Sequence, residues 1–354
     1  MVQIQKVLEA AVAHEAEDII LTVGRPPMLR LGTELEPVQT KTLEPEDTVA
    51  LMKSITPERY QQQLQENGSA DFGFSFEDKG RFRVAVFRQS GNICVVLRLI
   101  PNRIRSFNEL GLGDEIKELL HKPRGLILVT GPTGSGKTTT LATMLDYINR
   151  NRKVHIITIE DPIEYKHDHN KSVISQRELG TDVPDFASAL STALRQAPDV
   201  ILVGEMRDLE STRLAIMAAE TGHLVFSTVH TQSAHTTVDR IIDEFPPRQQ
   251  EQIRSQLSTS LLAVLSQTLL PRKNEKGMVA AYEILLVDSA VRNLIREKKT
   301  FRIDSVIQTN RQKGMRLMDH SLLELYRDGI ITRENVLSRC RYADDVREKM
   351  KQIA

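Results

Sequence analysis

The 354-residue chain is longer than the roughly 250–300 residues at which one hydrophobic core stops growing, so its length predicts two domains. Hydrophobic residues make up 40% and charged residues 27% of the sequence, as in ordinary soluble globular proteins. The 47 basic residues balance the 47 acidic ones, and this zero formal net charge argues against a constitutive nucleic-acid binder, which usually carries a basic excess.

Cysteines and targeting signals give no indication of export. Cys94 and Cys340 are far apart, so they offer neither a disulfide framework nor a zinc-ligand spacing. The sequence does not begin with a basic segment followed by an apolar run, so we expect no signal peptide. Residues 255–270 lack charge but are rich in Ser, Thr and Gln, whereas a membrane span needs ~20 mostly apolar residues. We expect a cytoplasmic protein that reaches a membrane only through a partner.

Residues 1–98 are predicted to form a small α+β domain. An amphipathic helix, a short strand and two polar helices come first, followed by the clearest hairpin signal in the sequence. Apolar and polar residues alternate over 81–86, a turn follows at 90–92, and an apolar run returns over 93–99. Proline and polar residues then interrupt both periodicities, so residues 99–107 are predicted to be a linker.

Residues 108–354 show a different pattern. From Gly125 onward, short apolar runs alternate with helical segments, which predicts an α/β domain with a parallel sheet. After about residue 288 the strand signals disappear, so we expect a helical appendage at the C-terminal end. The predicted buried strands lie at 126–129, 154–159, 200–203 and 224–226.

Some helix ends in this second domain are marked by specific residues. Asp185 is a predicted N-cap, and Pro198 is predicted to stop the helix that follows it. Residues 208–221 are predicted to form a helix that ends at a left-handed Gly222. A further helix is predicted around residues 109–121.

The strongest motif is G-x-x-x-x-G-K-T, which follows the run at 126–129 and precedes a helix beginning near Lys137. Backbone N–H groups of such a loop surround phosphate oxygens, and the helix N-terminus adds positive potential. Lys137 is expected to reach the β- and γ-phosphates of ATP, and Thr138 to offer its hydroxyl to Mg²⁺. A glycine-rich turn without a ligand does not account for this strand–loop–helix context. The predicted nucleotide-binding residues are Gly131, Pro132, Thr133, Gly134, Ser135, Gly136, Lys137, Thr138 and Thr139.

Such a loop requires nearby carboxylates, one to hold Mg²⁺ and one to orient the attacking water. Residues 199–205 are an apolar run ending in Gly204-Glu205, similar to a Walker B segment but with glycine where aspartate usually stands. A second acidic cluster follows the strand predicted at 154–159, where α/β sheets place ligands; the alternative is a strand capped by solvated charges. The candidate Mg²⁺ ligands are Thr138, Glu205, Glu160 and Asp161.

Two histidines bracket the strand predicted at 224–226. His223 precedes it and His230 follows it, and a single histidine in such a place is more often structural than functional. Because two of them flank a core strand of a nucleotide-binding domain, we predict that they sense the nucleotide and couple it to a neighbouring subunit. We include His223 among the nucleotide-binding residues and His230 among the catalytic ones.

Several arginines flank the catalytic segments and are candidates to stabilise phosphoryl charge from a neighbouring subunit. A solvated position on a strand or helix face is an equally good explanation for each of them. The candidates are Arg195, Arg207 and Arg213 in the second domain and Arg81 and Arg83 on the hairpin of the first.

Together these motifs resemble the secretion ATPase superfamily, which drives type II secretion and type IV pili, over nearly the whole chain. Its boxes correspond here to Walker A at 131–138, the Asp box at 159–165, Walker B at 199–208 and the His box at 220–231. Residues 290–297, AVRNLIRE, resemble the AIRNLIRE motif of the retraction ATPases in this superfamily, with valine in place of isoleucine. Assembly ATPases typically carry a longer N-terminal region and a four-cysteine zinc motif, which this sequence lacks.

The resemblance implies a PAS-like domain followed by a RecA-like P-loop ATPase domain with C-terminal helices. It implies a ring-shaped homohexamer that holds ATP and Mg²⁺ between the two domains of a subunit. Glu205 and Glu164 would share Mg²⁺ and water organisation and the role of general base, with the division between them open. Arg81 and Arg83 would approach the nucleotide from the hairpin.

The function implied is ATP-driven retraction of type IV pili, which powers twitching motility. The ring would act on an inner-membrane platform protein, contacted through the helix at 290–297, with residues 100–106 as the hinge. A DNA translocase remains the alternative from another class, although balanced charge, the lack of Trp and 5% aromatic residues disfavour it. An assembly or secretion ATPase of the same superfamily is the closer alternative.

Overall fold

The structure is a computed structural model and describes residues 2–14, 16–32, 34–77, 79–100, 103–206, 208–274 and 277–353. It divides into two compact units: Met1–Arg103 with Pro162–Lys166, and Ile104–Asp161 with His167–Ala354. The sequence analysis assigned residues 162–166 to the second domain, whereas in the structure they pack with the first. Pro101 and Asn102 of the predicted linker lie outside the described residues.

The first unit contains a six-stranded sheet in the order β3-β2-β1-β6-β5-β4, in which all neighbouring strands are antiparallel. This is the expected α+β domain; its PAS-like character stays a prediction. Its elements are α1 Ile4–Ala13, β1 Asp18–Leu21, β2 Met28–Leu31, β3 Glu34–Pro37, α2 Pro45–Ile55, α3 Glu58–Asn67, β4 Ser69–Phe76, β5 Gly80–Gln89 and β6 Asn92–Ile100.

The predicted hairpin is confirmed as β5 and β6. Phe82, Val84 and Val86 are fully buried, while the residues between them are partly exposed, as one buried face of a strand requires. The turn has two residues, Ser90 and Gly91, both with positive φ (49° and 79°), as in the turns that suit the twist of a hairpin.

The second unit contains a seven-stranded sheet in the order β13-β12-β7-β11-β10-β8-β9. Six strands are parallel, which confirms the predicted α/β domain, and β13 adds an antiparallel strand beside β12 at one edge. The sequence analysis missed β9, β12 and β13. The strands are β7 Gly125–Thr130, β8 His155–Glu160, β9 Val173–Glu178, β10 Val200–Val203, β11 Leu224–Val229, β12 Leu261–Pro271 and β13 Met278–Leu286.

Helices cover both faces of this sheet. Alternate residues of β7 enter two different cores, Leu126 and Leu128 on one face and Ile127 and Val129 on the other. The predicted C-terminal helices are present as α11 to α15. The helices are α4 Phe107–Leu110, α5 Asp114–Leu119, α6 Lys137–Asn151, α7 Phe186–Ala193, α8 Leu209–Thr221, α9 Ala234–Asp243, α10 Pro247–Ser260, α11 Ser289–Arg296, α12 Ile303–Thr309, α13 Met318–Arg327, α14 Arg333–Arg339 and α15 Ala343–Ile353.

Two predicted helix ends need correction. The single helix around 109–121 is two short helices, because Gly111 caps α4 in the left-handed conformation (φ 69°). Gly222 does end α8, but at φ 135° and ψ 2° it lies outside the left-handed helical region. The predicted cap at Asp185 is confirmed, since its carboxylate accepts from the Ser188 N–H at 2.8 Å, and α7 ends at Ala193, ahead of the predicted stop.

Within the described parts of the chain, no helix combines the length and the apolar character that crossing a bilayer requires.

Candidate active site

The phosphate-binding loop connects β7 to α6 and depends on glycine at three positions. Gly131, Gly134 and Gly136 all have positive φ, at 143°, 76° and 85°. A Cβ atom on Gly131 would lie 2.3 Å from the backbone oxygen of Gln267, so no other residue fits there without displacing β12. The loop therefore follows the backbone path that its glycine spacing predicts, and α6 begins at Lys137, as expected.

Three side chains of the motif regions meet beside this loop. Lys137 Nζ donates to the backbone oxygens of Gly131 at 2.9 Å and Pro132 at 3.0 Å, and it lies 3.5 Å from His230 Nδ1. His230 Nε2 lies 3.1 Å from Glu205 Oε1. A neutral imidazole with its proton on Nε2 satisfies both contacts, because Nε2 then donates to the carboxylate and Nδ1 accepts from the ammonium.

The chain path explains how Glu205 reaches this position. After β10, the Gly204 N–H donates to Ile159 O at 2.8 Å, and its own carbonyl accepts from Thr228 Oγ1 at 2.7 Å. A Cβ atom on Gly204 would lie only 3.2 Å from Ile159 O. Glycine at this position avoids a tight contact with β8, which any residue with a Cβ would relieve only by a shift of a few tenths of an ångström.

The Asp box is divided between the two units. Glu160 ends β8 and is 7% exposed, and its Oε1 accepts from the Thr158 hydroxyl at 2.6 Å and the Gln176 amide at 3.2 Å. Asp161 follows it and is exposed. Because β8 is a parallel neighbour of β10, Glu160, Asp161 and Glu205 lie at the same edge of the sheet. That they bind Mg²⁺ stays a prediction.

Three predicted site residues belong to the first unit: Arg81, Arg83 and Glu164. Arg81 Nε donates to Ile163 O at 2.7 Å, so the hairpin strand β5 contacts the Asp-box segment Pro162–Lys166, which belongs to the first unit. No pattern in the sequence indicated this contact, because the two residues are 82 positions apart. The Arg81 side chain thus has a structural partner inside its own unit, beside the predicted role at the nucleotide.

The structure does not bring two predicted residues to the loop. His223 precedes β11 and lies near the start of β7, because its carbonyl accepts from Gly125 N–H. The six residues of β11 separate it from His230 by about 20 Å, so the structure does not bring it to the loop of its own chain, and its role at the nucleotide stays a prediction. Arg195 is exposed just before β10, also at the opposite edge of the sheet. Arg207 lies outside the described residues.

A buried polar residue that the sequence analysis did not single out lies beside the loop on β12. Gln267 Nε2 donates to Ser135 O at 2.5 Å, and its Oε1 accepts from the Thr140 hydroxyl at 2.8 Å. Tyr282 of the next strand is buried in the same region, and burial raises its pKa to about 12. The sequence feature that could have drawn attention to Gln267 is the polar triplet Ser266-Gln267-Thr268 inside an otherwise apolar run.

The loop fits a phosphate group. Ser135 Oγ is buried and has no hydrogen-bond partner among the residues that the structure describes, and the N-terminus of α6 adjoins it. Donors and a positive dipole at one concave backbone turn are what a nucleotide phosphate requires. No three His, Cys, Asp or Glu side chains form a metal cage within the described ranges.

The sequence profile of the type II/IV secretion system proteins matches residues 2–338, which is nearly the whole chain. The chain belongs to this family. Among curated relatives, the type IV pilus retractation ATPase PilT of Pseudomonas aeruginosa is 45% identical over 342 residues, covering 97% of this chain and 99% of PilT. The twitching motility protein of Neisseria gonorrhoeae is 46% identical over 320 residues, covering 90% of this chain and 86% of that protein.

A solved structure of the family shows the same fold. The crystal structure of the pilus retraction motor PilT with bound ADP matches with a TM-score of 0.91 and 46% identity, over 98% of this chain and 100% of that one. In this type II/IV secretion system protein, Walker A, Walker B and the second half of the His box meet at the carboxyl edge of the sheet. The first half of the His box lies at the other edge.

Proposed function

We propose that this chain is an Mg²⁺-dependent ATPase motor that retracts type IV pili and thereby powers twitching motility. The observation that carries the proposal is the 45% identity with a protein named as a pilus retraction ATPase, over 97% of the chain. The phosphate-binding loop with Lys137, His230 and Glu205 beside it supports the enzymatic part, because these groups suit phosphoryl transfer.

The nucleotide would be held by the loop from Gly131 to Thr139. Backbone N–H groups of the loop would bind the phosphates, and Lys137 would exchange its contacts with Gly131 and Pro132 for the β- and γ-phosphate oxygens. Thr138 and Glu205, with Glu160 or Asp161 nearby, would hold Mg²⁺, which neutralises phosphate charge when bound.

We assign the orientation of the attacking water to Glu205. His230 fixes its carboxylate at 3.1 Å and connects it to Lys137, so the group is held beside the loop before any ligand arrives. Glu164 is the alternative general base and belongs to the first unit. Arginines from a neighbouring subunit would complete the site in a homohexamer; the candidates are Arg81, Arg83, Arg195 and Arg207.

Mechanical work would come from movement of the first unit against the second about the linker at residues 100–106, as ATP binds and products leave. The ring would act from the cytoplasm on an inner-membrane platform protein at the pilus base, so its membrane association would be peripheral. We propose no zinc site and no nucleic-acid ligand.

The surface that meets this partner would include the exposed side of α11. Val291 and Ile295 are fully buried in the core of the second unit, so alanine replacements at those positions test the fold of the unit. Asn293 and Arg296 are exposed on the other side of the helix. This division separates the structural half of the motif from the half that is free to contact another protein.

We expect Arg296→Glu to uncouple hydrolysis from retraction. ATPase activity should stay within about twofold of wild type, because an exposed charge at the end of a helix contributes little to folding, while twitching should be lost. Arg339→Glu is the matched control, since Arg339 is likewise the exposed last residue of its helix, α14. Normal twitching with Arg296→Glu, or lost hydrolysis, would contradict the assignment.

Deleting the gene and restoring it tests the function as a whole. Cells without the gene should carry many surface pili and fail to twitch, and the wild-type gene should restore both. Pili are counted by electron microscopy and twitching by colony expansion. Cells without pili would indicate an assembly motor instead. Normal piliation with normal twitching would exclude a pilus motor and favour DNA translocation.

A further inference from the structure

We propose that Gln267 is a positioning residue of the nucleotide site, which holds the Ser135–Gly136 peptide in the orientation that binds phosphate. The inference rests on the proposed function, because it assumes that the loop binds a nucleotide. It concerns a residue outside the loop, 132 positions away from the carbonyl that it contacts.

The register of the sheet places Gln267 beside the loop. Ser266 of β12 pairs with Thr130, the last residue of β7, so Gln267 is adjacent to the point where the chain leaves the sheet at Gly131. The Thr130 hydroxyl donates to the Ser266 hydroxyl at 2.8 Å, which fixes this end of the strand pair. The Gln267 backbone oxygen also occupies the space that a Cβ on Gly131 would need.

The orientation of the Gln267 amide follows from its partners. Ser135 O can only accept a hydrogen bond, so the group within 2.5 Å of it has to be the NH₂ end of the amide. The other end then accepts from the Thr140 hydroxyl on the first turn of α6. Gln267 is 2% exposed, so water cannot readily replace either contact.

The orientation of a backbone carbonyl determines the orientation of the N–H group of the next residue. In a trans peptide the C=O and the next N–H point in opposite directions. Because Ser135 O points to Gln267 beneath the loop, the Gly136 N–H points away from Gln267. Gly136 lacks a Cβ, so this peptide could rotate at little steric cost if the Gln267 contact were absent. Gln267 therefore keeps one phosphate donor in place before the nucleotide binds.

The test compares nucleotide binding by variants of Gln267 with binding by a variant of Thr140, the second hydrogen-bond partner of Gln267. Gln267→Met keeps the length of the side chain without its polar atoms. Gln267→Glu keeps the acceptor for Thr140 and removes the donor to Ser135. We expect both to raise the Kd for ADP, measured by titration calorimetry, about tenfold, the effect of one lost buried hydrogen bond. Thr140→Val leaves the donor in place and should change the Kd less than threefold.

Steady-state kinetics separates positioning from a structural role. A donor that binds phosphate equally in substrate and transition state affects KM alone, so KM for ATP should rise with the Kd while kcat stays within about twofold. A partly unfolded variant would instead lose kcat at unchanged KM. Unfolding midpoints without nucleotide show whether each variant is folded.

Each outcome has a separate meaning. If wild type does not bind ADP, the proposed function fails. If wild type binds ADP and a folded Gln267→Met or Gln267→Glu binds it equally well, the positioning role is wrong. If neither Gln267 variant folds, Thr140→Val decides: a tenfold loss there would place the essential contact at Thr140 and overturn the role of the Ser135 contact.

Discussion

Lys137→Ala should abolish the motor while leaving the fold intact. Lys137 Nζ contacts backbone oxygens of the loop and His230, and its side chain belongs to neither hydrophobic core of the second unit's sheet. Loss of one cation that stabilises the transferred phosphoryl group is expected to lower kcat by about 10²–10³-fold. A phosphate-release assay on the purified protein measures this.

Lys137→Ala should also change the piliation and the twitching of cells. When Lys137→Ala is expressed in cells that lack the gene, the cells should keep excess pili and fail to twitch. Lys153→Ala should restore both the normal number of pili and twitching. Lys153 is an exposed lysine just beyond the end of α6 and lies outside the four motif segments. Restored twitching with Lys137→Ala would show that hydrolysis at this loop does not drive retraction.

Glu205→Gln is the second substitution with a large expected effect, which is on the rate of the chemical step rather than on nucleotide binding. The amide keeps the shape of the side chain and can still accept a hydrogen bond from His230, which lies 3.1 Å away. It cannot accept a proton, so kcat should fall about 10²–10⁴-fold, the range for general acid–base groups. The Kd for ATP measured without Mg²⁺ should change little, because Lys137 and the loop are unaltered.

The matched variant Glu164→Gln decides between the two candidate bases. Both substitutions are isosteric, and single-turnover hydrolysis of bound ATP reports on the chemical step for each. If Glu205 orients the water, Glu205→Gln should slow that step far more than Glu164→Gln. The reverse order would assign the base to Glu164 and leave Glu205 with Mg²⁺.

Local patterns predicted the parts of the fold that depend on neighbouring residues. The alternation over 81–86 predicted β5, and the glycine spacing at 131–136 predicted the loop, because in both cases the cause lies within a few residues. Strand β12 was missed because Ser266, Gln267 and Thr268 interrupt its apolar run, and the first two have partners on other elements.

Contacts between distant segments could not be predicted from one sequence. Nothing local indicates that Arg81 bonds Ile163, or that Gln267 supports Ser135. The position of His223 could have been predicted. A residue that precedes a parallel strand lies at the opposite edge of the sheet from one that follows it, so His223 and His230 could not both face the loop.

The close passage of β8 past Gly204 limits how this site can change over evolutionary time. An acidic residue is one base change away from every glycine codon. Single mutations therefore introduce a carboxylate at this position repeatedly. The backbone oxygen of Ile159 lies 3.2 Å from where its first side-chain atom would stand, so such a mutant has to move β8 by a few tenths of an ångström. With glycine at position 204, the carboxylates at this edge of the sheet come from Glu205, Glu160 and Asp161.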